Sequence, residues 1–311
     1  MARFRPGACA VPDPDRSDPE IIDFSPRPAR TRRPIAIAIA AAAAIGVTAA
    51  VVFVVIKPGA TAASRANPGL ARLIAQVTHV PVRTSDAAGD GADRVITKPA
   101  PVAGPPLTAH GKPEVLYVAT EYCPYCATQS WAMIVALSRF GTFTGLRAIR
   151  SGVFNSALIP AVTDQTFPPL DTWTFYGSGY TSRYLAFVPV ETRSNVLVSR
   201  HANPLEKNSY TALQRLTPAQ QAIFAKYDNL RAVPFTDFGN RYALTGSSFD
   251  PGVLEHETWS QIAAELRNPH GIRGRSILGA VNYLTAAICQ LTHDQPATAC
   301  TPAVRSLLPG S

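Results

Sequence analysis

Two of the five cysteines in this 311-residue chain enclose a single Pro-Tyr dipeptide. Cys123 and Cys126 occur in the stretch ATEYCPYCATQSW. A pair at this spacing can exchange disulfides, supply two ligands to a soft metal ion, or form a short structural disulfide. The elements that carry the pair, and the compartment in which the chain folds, decide between these chemistries.

The motif is predicted to lie where a β-strand ends and a helix begins. Residues 115–119 form a short apolar run after a Gly-Lys-Pro turn, and residues 124–140 carry apolar side chains at a helical period. Unpaired amides and the helix dipole stabilise a thiolate at a helix N-terminus, so Cys123 is the predicted nucleophile. Cys126, one turn further along, is the predicted resolving cysteine.

The rest of the chain predicts an α/β sandwich. The predicted strands are residues 115–119, 146–151, 184–190, 233–238 and 241–244, and the predicted helices are residues 67–80, 124–140, 217–230, 258–267 and 276–291. The strand at 146–151 is expected to run parallel to the first one through the helical crossover. Residues 152–182 are polar, aromatic and Pro-containing, which predicts an insertion. This order is thioredoxin-like.

Three further residues receive predicted roles. Thioredoxin-like redox sites place a cis-proline against the Cys-x-x-Cys pair, and Pro234 is the candidate because a proline at a strand start needs no ladder donor. Cys289 and Cys300 are predicted to form a structural disulfide that contributes about 3 kcal/mol through loop closure. A second redox pair that relays electrons from Cys126 is the alternative for these two cysteines.

Metal binding is the main competing hypothesis for the Cys-x-x-Cys pair. A zinc site normally takes four ligands, but no second Cys-x-x-Cys follows, and the four histidines beyond residue 200 are isolated in the sequence. Two thiolates suffice for Cu(I), so a copper-binding module stays open. The leading prediction includes no metal and no cofactor. A purely structural disulfide across so short a loop gains little from closure.

A charge-free run at residues 34–56 predicts one transmembrane helix. The 33 residues before it are too many for an ordinary signal-peptide n-region. Four arginines at 27, 30, 32 and 33 precede the run, whereas Lys57 alone follows it directly, so the N-terminus is expected in the cytoplasm. The chain is thus predicted to be a single-pass protein of the cell membrane with an extracytoplasmic C-terminal domain.

The predicted organisation has five parts, which are a disordered cytoplasmic tail (1–33), the transmembrane helix (34–56), a short helix and linker (57–113), the thioredoxin-like domain (114–305) and a tail (306–311). An exported domain tolerates disulfides, and this prediction leaves Cys9 on the other side of the membrane. Of the 29 basic residues, 7 lie before residue 34 and the rest are scattered singly, so the net charge of +8 predicts no nucleic-acid partner.

The run GKPEVLYVATEYCPYCATQSWAMIVALSRFGTF resembles the catalytic strand and helix of a membrane-anchored thioredoxin-like family catalogued as domain of unknown function 929. The resemblance extends through YTSRYLAFVPVE and VPFTDFGNRY. It implies a thioredoxin-like fold with a redox-active Cys123–Cys126 pair and a Pro-initiated strand at Pro234. Thioredoxins place a buried aspartate six residues before the first cysteine, where this chain has Tyr117. The group that moves protons to Cys126 is therefore open, and Glu121 is expected to be exposed.

These observations predict a membrane-anchored, extracytoplasmic thiol-disulfide oxidoreductase. Its expected partners are exported or envelope proteins with thiols or disulfides, a membrane redox recycling partner, and the lipid bilayer. The Pro-Tyr dipeptide predicts an intermediate potential, between about −270 and −120 mV. The alternatives are the copper-binding module and a redox-inactive thioredoxin-like domain whose insertion at 152–182 binds a partner.

Overall fold

The computed structural model describes residues 68–152, 167–203 and 208–308, and only the backbone of residues 9–10, 154–155, 166 and 207. The strands are β1 (Cys9–Ala10), β2 (Ala100–Pro101), β3 (Thr108–Ala109), β4 (Lys112–Ala119), β5 (Gly141–Thr144), β6 (Arg147–Arg150), β7 (Phe154–Asn155), β8 (Thr166–Phe167), β9 (Asp171–Thr174), β10 (Gly179–Ser182), β11 (Ala186–Glu191), β12 (Arg193–Leu197), β13 (Tyr210–Ala212), β14 (Ala232–Val233), β15 (Phe235–Phe238) and β16 (Tyr242–Thr245). The helices are α1 (Pro68–Thr78), α2 (Val82–Ala88), α3 (Pro124–Leu137), α4 (Pro218–Tyr227), α5 (Trp259–Glu265), α6 (Ile272–Leu291) and α7 (Pro302–Arg305).

A mixed sheet in the order β11-β4-β15-β16-β2 organises the fold, and β3 pairs with β4 beside it. Strand β11 runs parallel to β4, whereas β15 runs antiparallel to β4 and to β16. The last six residues of β4 are all buried, as expected for a strand whose two faces are both covered. Pro101 lies on the edge strand β2, where a missing amide costs no ladder hydrogen bond.

Helix α3 begins directly after the Cys123 position and is buried along its whole length. It packs against both α6 and β9. Trp131 at its centre meets Trp173 edge-to-face at 5.4 Å, and its indole N–H donates to the carbonyl of Asp171 at 3.0 Å. These contacts fix the helix that carries the Cys-x-x-Cys motif.

The predicted crossover strand exists but has a different partner. Residues 147–150 form β6, which pairs with β9, so the prediction that this strand runs parallel to β4 is wrong. The parallel partner of β4 is β11. A strand beside β4 has to be buried. Strand β6 begins and ends with exposed arginines and is unsuited to that place, whereas β11 carries Phe187 and Val190 into the core.

Part of the predicted insertion at 152–182 belongs to the core. All four residues of β9 are buried, and Trp173 and Phe175 pack in the main hydrophobic cluster. Phe175 meets Tyr117 of β4 edge-to-face at 5.5 Å. Aromatic side chains spaced among polar residues and prolines give no clear periodicity, which is why the sequence pattern does not reveal this burial.

The region predicted as a linker also contains ordered structure. Helix α2 packs on α6, where the side-chain amide of Asn282 donates to the carbonyls of Ser85 at 2.6 Å and Gly89 at 2.8 Å. Helix α1, by contrast, occurs close to its predicted position. The segment before the central sheet is thus partly built into the domain.

Two residues of the predicted N-terminal tail are described. Strand β1 pairs antiparallel with β14, with Cys9 opposite Val233 and Ala10 opposite Ala232. This pairing differs from the prediction of a tail on the opposite side of a membrane. The predicted span at 34–56 lies outside the described residues, and no helix within the described part is long and apolar enough to cross a bilayer.

Candidate active site

Cys123 occupies the N-cap of α3, as the sequence predicts. Its backbone is extended (φ −78°, ψ 125°), Pro124 takes the first helical position, and the amide of Ala127 donates to the Cys123 carbonyl at 2.9 Å. Proline is suited to this place because the first amide of a helix has no intrahelical acceptor. Strand β4 therefore delivers Cys123 to the positive end of the helix dipole.

The Val233–Pro234 segment lies next to Cys123. The Val233–Pro234 bond is cis, as predicted, and Cys123 Sγ lies 3.8 Å from the carbonyl oxygen of Val233. Strand β15 begins directly after Pro234. The structure thus brings together Cys123 and Pro234, which are more than a hundred residues apart in the sequence.

The two motif sulfurs are not bonded to each other in this structure. Cys123 takes part in a disulfide, and Cys126 is a free thiol. Both residues are buried. A redox pair exists in bonded and unbonded forms, so the predicted Cys123–Cys126 disulfide stays a prediction.

Cys126 is held at the centre of the site by β4. Its Sγ accepts a hydrogen bond from the amide of Thr120 at 3.5 Å, and the Tyr117 hydroxyl donates to its carbonyl at 3.4 Å. Burial raises the pKa of the Cys126 thiol well above its usual value, the Thr120 amide opposes this shift, and the charge of Glu191 adds to it. At neutral pH the Cys126 thiol is therefore protonated.

The tyrosines of the motif are fixed from both sides. Tyr122 stacks on Tyr210 with ring centroids 4.3 Å apart, and Tyr125 meets Phe167 edge-to-face at 5.8 Å. The Tyr122 carbonyl accepts a hydrogen bond from the amide of Gly152. The segment 122–125 is thus held in place on either side of Cys123.

Glu191 is the functional candidate that sequence reasoning missed. It ends β11, it is 3 % exposed, and its carboxylate accepts hydrogen bonds from the Phe175 amide at 2.7 Å and the Thr174 hydroxyl at 3.0 Å. Burial raises the pKa of Glu191 to about 7; the Phe175 amide lowers it and the charge of Glu121 raises it. The only sequence signal was an acid directly after a buried apolar strand.

A small cavity joins Glu191 to Cys126. Its volume is about 10 Å³, and its walls come from β4, α3, β9 and the end of β11. Cys126, Glu121 and Glu191 all line it. This volume suits about one water molecule when polar groups are there to bind it. Glu121 is buried, at 8 % exposed, so the expectation of an exposed side chain is wrong.

The C-terminal cysteines form the predicted disulfide. The Sγ atoms of Cys289 and Cys300 are 2.01 Å apart, and the bond closes a loop over a separation of 11 residues. Within the described residues, one group could share a metal ion by distance, which is Cys289, Asp294 and Cys300. Both of its sulfurs are already bonded to each other, so they offer no thiolate to a metal.

Comparison with known proteins places the chain in a family. The family model described as Domain of unknown function (DUF929) matches residues 98–290. The chain belongs to this family. The matched part of this DUF929 member contains Cys123, Cys126, Glu191 and Pro234, but not Cys300. No curated protein and no solved structure matches the chain.

Proposed function

We propose that this DUF929 protein is a thiol-disulfide oxidoreductase with a thioredoxin-like fold. The observation that carries the proposal is the juxtaposition of an N-capping Cys123, a protonated Cys126 one turn further along α3, and the Val233–Pro234 loop against the Cys123 sulfur. The thioredoxin-like assignment rests on the sheet order β11-β4-β15-β16, with the parallel pair reached after α3 and the antiparallel hairpin beside β4.

The reaction proceeds in two exchanges. The Cys123 thiolate attacks a partner disulfide, forms a mixed disulfide and releases one partner thiolate. Cys126 then loses its proton and attacks Cys123 Sγ, so that a Cys123–Cys126 bond forms and the second partner thiolate leaves. Two electrons pass from the motif to the partner, and the reverse sequence oxidises a partner dithiol.

The edge of β14 is the proposed docking line for the partner backbone. Residues Ala232–Val233 pair there with the extended segment β1, directly beside Cys123. A partner segment that adds to this edge would take the place of β1 and gain the same ladder hydrogen bonds. Replacement of β1 also agrees with the burial of Cys123, because the partner has to reach a sulfur that is covered in this structure.

Membrane anchoring and export remain part of the proposal, on the strength of the charge-free run at 34–56. The proposed partners are exported or envelope proteins with thiols or disulfides and a membrane redox recycling partner. The pairing of β1 with β14 argues against residues 9–10 and the domain lying on opposite sides of a bilayer. Protease protection of an N-terminal and a C-terminal epitope in intact cells distinguishes the two arrangements.

Trapping of a mixed disulfide tests the exchange reaction. Full-length Cys126→Ala is expected to accumulate mixed disulfides through Cys123 in the host cell, because the resolving sulfur is missing. The matched Cys123→Ala/Cys126→Ala variant should trap nothing. Absence of any Cys123-linked species under mild oxidation would contradict the proposal.

The copper alternative is tested with the same reduced protein. A two-thiolate site needs both sulfurs deprotonated, and the raised pKa of Cys126 opposes this. We expect no stoichiometric Cu(I) after gel filtration. A tightly bound ion, lost in Cys123→Ala, would favour metal delivery over exchange. Full-length protein that neither binds Cu(I) nor exchanges would favour the redox-inactive, partner-binding alternative.

A further inference from the structure

We infer that Glu191 is the proton acceptor for Cys126, taking the thiol proton through a water held in the cavity between them when Cys126 attacks the mixed disulfide. The inference rests on the proposed exchange function. Thioredoxins carry a buried aspartate six residues before the first cysteine, but this chain has Tyr117 there. Another group therefore has to accept the proton of Cys126.

The cavity provides the path. Cys126 and Glu191 line the same space of about 10 Å³, which accommodates about one water molecule. The register of the sheet sets this arrangement, because Glu191 lies opposite Ala119 in the parallel pair and the next amide, that of Thr120, donates to Cys126 Sγ. The carboxylate is also oriented, since the Phe175 amide and the Thr174 hydroxyl each hold one of its oxygens.

The charges around Glu191 suit a group that both takes and returns a proton. Glu121 faces it from the end of β4 and disfavours its ionised form, whereas Arg147 of β6 favours it. Cys126 lines the same cavity from α3, and so does Tyr117 of β4, whose hydroxyl pKa is raised by burial. These opposing effects leave the pKa of Glu191 at about 7. A general base is most effective when its pKa lies near the pH at which the protein works.

The other nearby polar groups fit the role less well. Tyr117 is protonated and already donates its hydroxyl hydrogen to the Cys126 carbonyl. Glu121 also lines the cavity, but the carboxylate whose charge raises the pKa of Cys126 is that of Glu191. Glu191 is thus the carboxyl group that both borders the cavity and is coupled to the sulfur.

The proton balance is complete. In the resolving step the Cys126 S–H bond breaks, the S–S bond to Cys123 forms, and the partner leaves as a thiolate with the electron pair of the broken mixed disulfide. The proton passes to the cavity water, which gives one of its own protons to Glu191. In the reverse direction the carboxylic acid of Glu191 returns a proton to the departing Cys126 thiolate.

The test follows both exchange steps with 5,5′-dithiobis(2-nitrobenzoate), which releases a coloured thiolate at each one. The protein used is full-length Cys9→Ser, reduced under conditions that keep the Cys289–Cys300 disulfide intact, as verified by mass spectrometry. Cys123 and Cys126 are then its only thiols. The first release reports attack by Cys123, and the second reports attack by Cys126. We expect Glu191→Gln to keep the first phase and to slow the second by about 10²-fold at neutral pH.

The pH profile separates proton transfer from a structural effect. In the parent protein the second phase should rise with pH through about 7, because Glu191 must be ionised to accept the proton. Glu191→Gln should lose this inflection. The variant Glu121→Gln should move the inflection of the second phase to lower pH, because the charge that raises the pKa of Glu191 is removed.

The outcomes are distinguishable. A parent protein without a Cys123-dependent first phase would overturn the exchange function and this inference with it. A normal first phase in both proteins, with an equal second phase and an unchanged inflection in Glu191→Gln, would overturn the inference alone. If Glu191→Gln does not fold, an unmoved inflection in Glu121→Gln still counts against Glu191 as the acceptor.

Discussion

Replacement of Glu191 by glutamine is expected to change how the stability of the domain depends on pH. The folded-state pKa of Glu191 is about 7, raised from 4.5 first by burial and then by the charge of Glu121. Between these two values the folded protein binds more protons than the unfolded chain, so the free energy of unfolding falls as pH rises. Below pH 4.5 the free-energy cost of burying ionised Glu191 is absent, and above pH 7 it is complete.

The size of the effect follows from the shift. Each pKa unit corresponds to about 1.36 kcal/mol, so burial of the ionised Glu191 costs about 3 kcal/mol above pH 7. Glu191 is 3 % exposed, so solvent screening reduces this value little. Glutamine keeps an oxygen for the Phe175 amide and carries no charge. The stability of Glu191→Gln relative to the parent should therefore rise by up to about 3 kcal/mol between pH 4 and pH 8.

Urea denaturation of the full-length parent and of Glu191→Gln at matched pH values measures this difference. Any pH-independent loss of stability caused by the substitution cancels, because only the change of the stability difference with pH is compared. Glu265→Gln, on α5, serves as the control for a glutamate-to-glutamine substitution away from the site. A difference between parent and Glu191→Gln that stays constant from pH 4 to pH 8 would show that the pKa of Glu191 is not raised by folding.

Two further predictions concern elements around the site. Thr217→Ala should destabilise the protein by about 1 kcal/mol in urea, because the Thr217 hydroxyl caps α4 by accepting from the Gln220 amide, and Thr217→Ser should restore most of it. An unchanged midpoint would show that the cap is dispensable. The Cys289→Ser/Cys300→Ser variant should lose about 3 kcal/mol but keep both phases of thiolate release. Reduction of the Cys289–Cys300 disulfide in parent protein at the expense of the Cys123–Cys126 dithiol would instead support electron relay from Cys126 to this pair.

Local features of the site could be predicted from the sequence because their causes are local. The start of α3 follows from the apolar period and from Pro124 after Cys123. The start of α4 follows from Thr217 at the N-cap and Pro218 at the first helical position, and Gln220 completes a capping box with Thr217. The β15–β16 hairpin lies within a residue or two of its predicted bounds. Its turn could be predicted because a two-residue hairpin loop needs positive φ, which Gly239 and Asn240 both adopt.

Long-range pairing could not be predicted in the same way. The strand β6 satisfies the local pattern of a crossover strand, yet β11 takes the place beside β4 because its side chains bury better there. That choice also decides the site, because it sets Glu191 beside Cys126. An acid at the end of a strand has no periodic signature, and only the sheet register shows that it is buried rather than solvated.

The most direct test of the central claim is a redox titration of the full-length protein in glutathione buffers, with the disulfides mapped by mass spectrometry at each potential. We expect a Cys123–Cys126 disulfide that forms and disappears reversibly, with a midpoint between about −270 and −120 mV. The Cys289–Cys300 disulfide should persist through the same range. A titration in which Cys123 and Cys126 never become linked at any potential would contradict thiol-disulfide exchange by this pair.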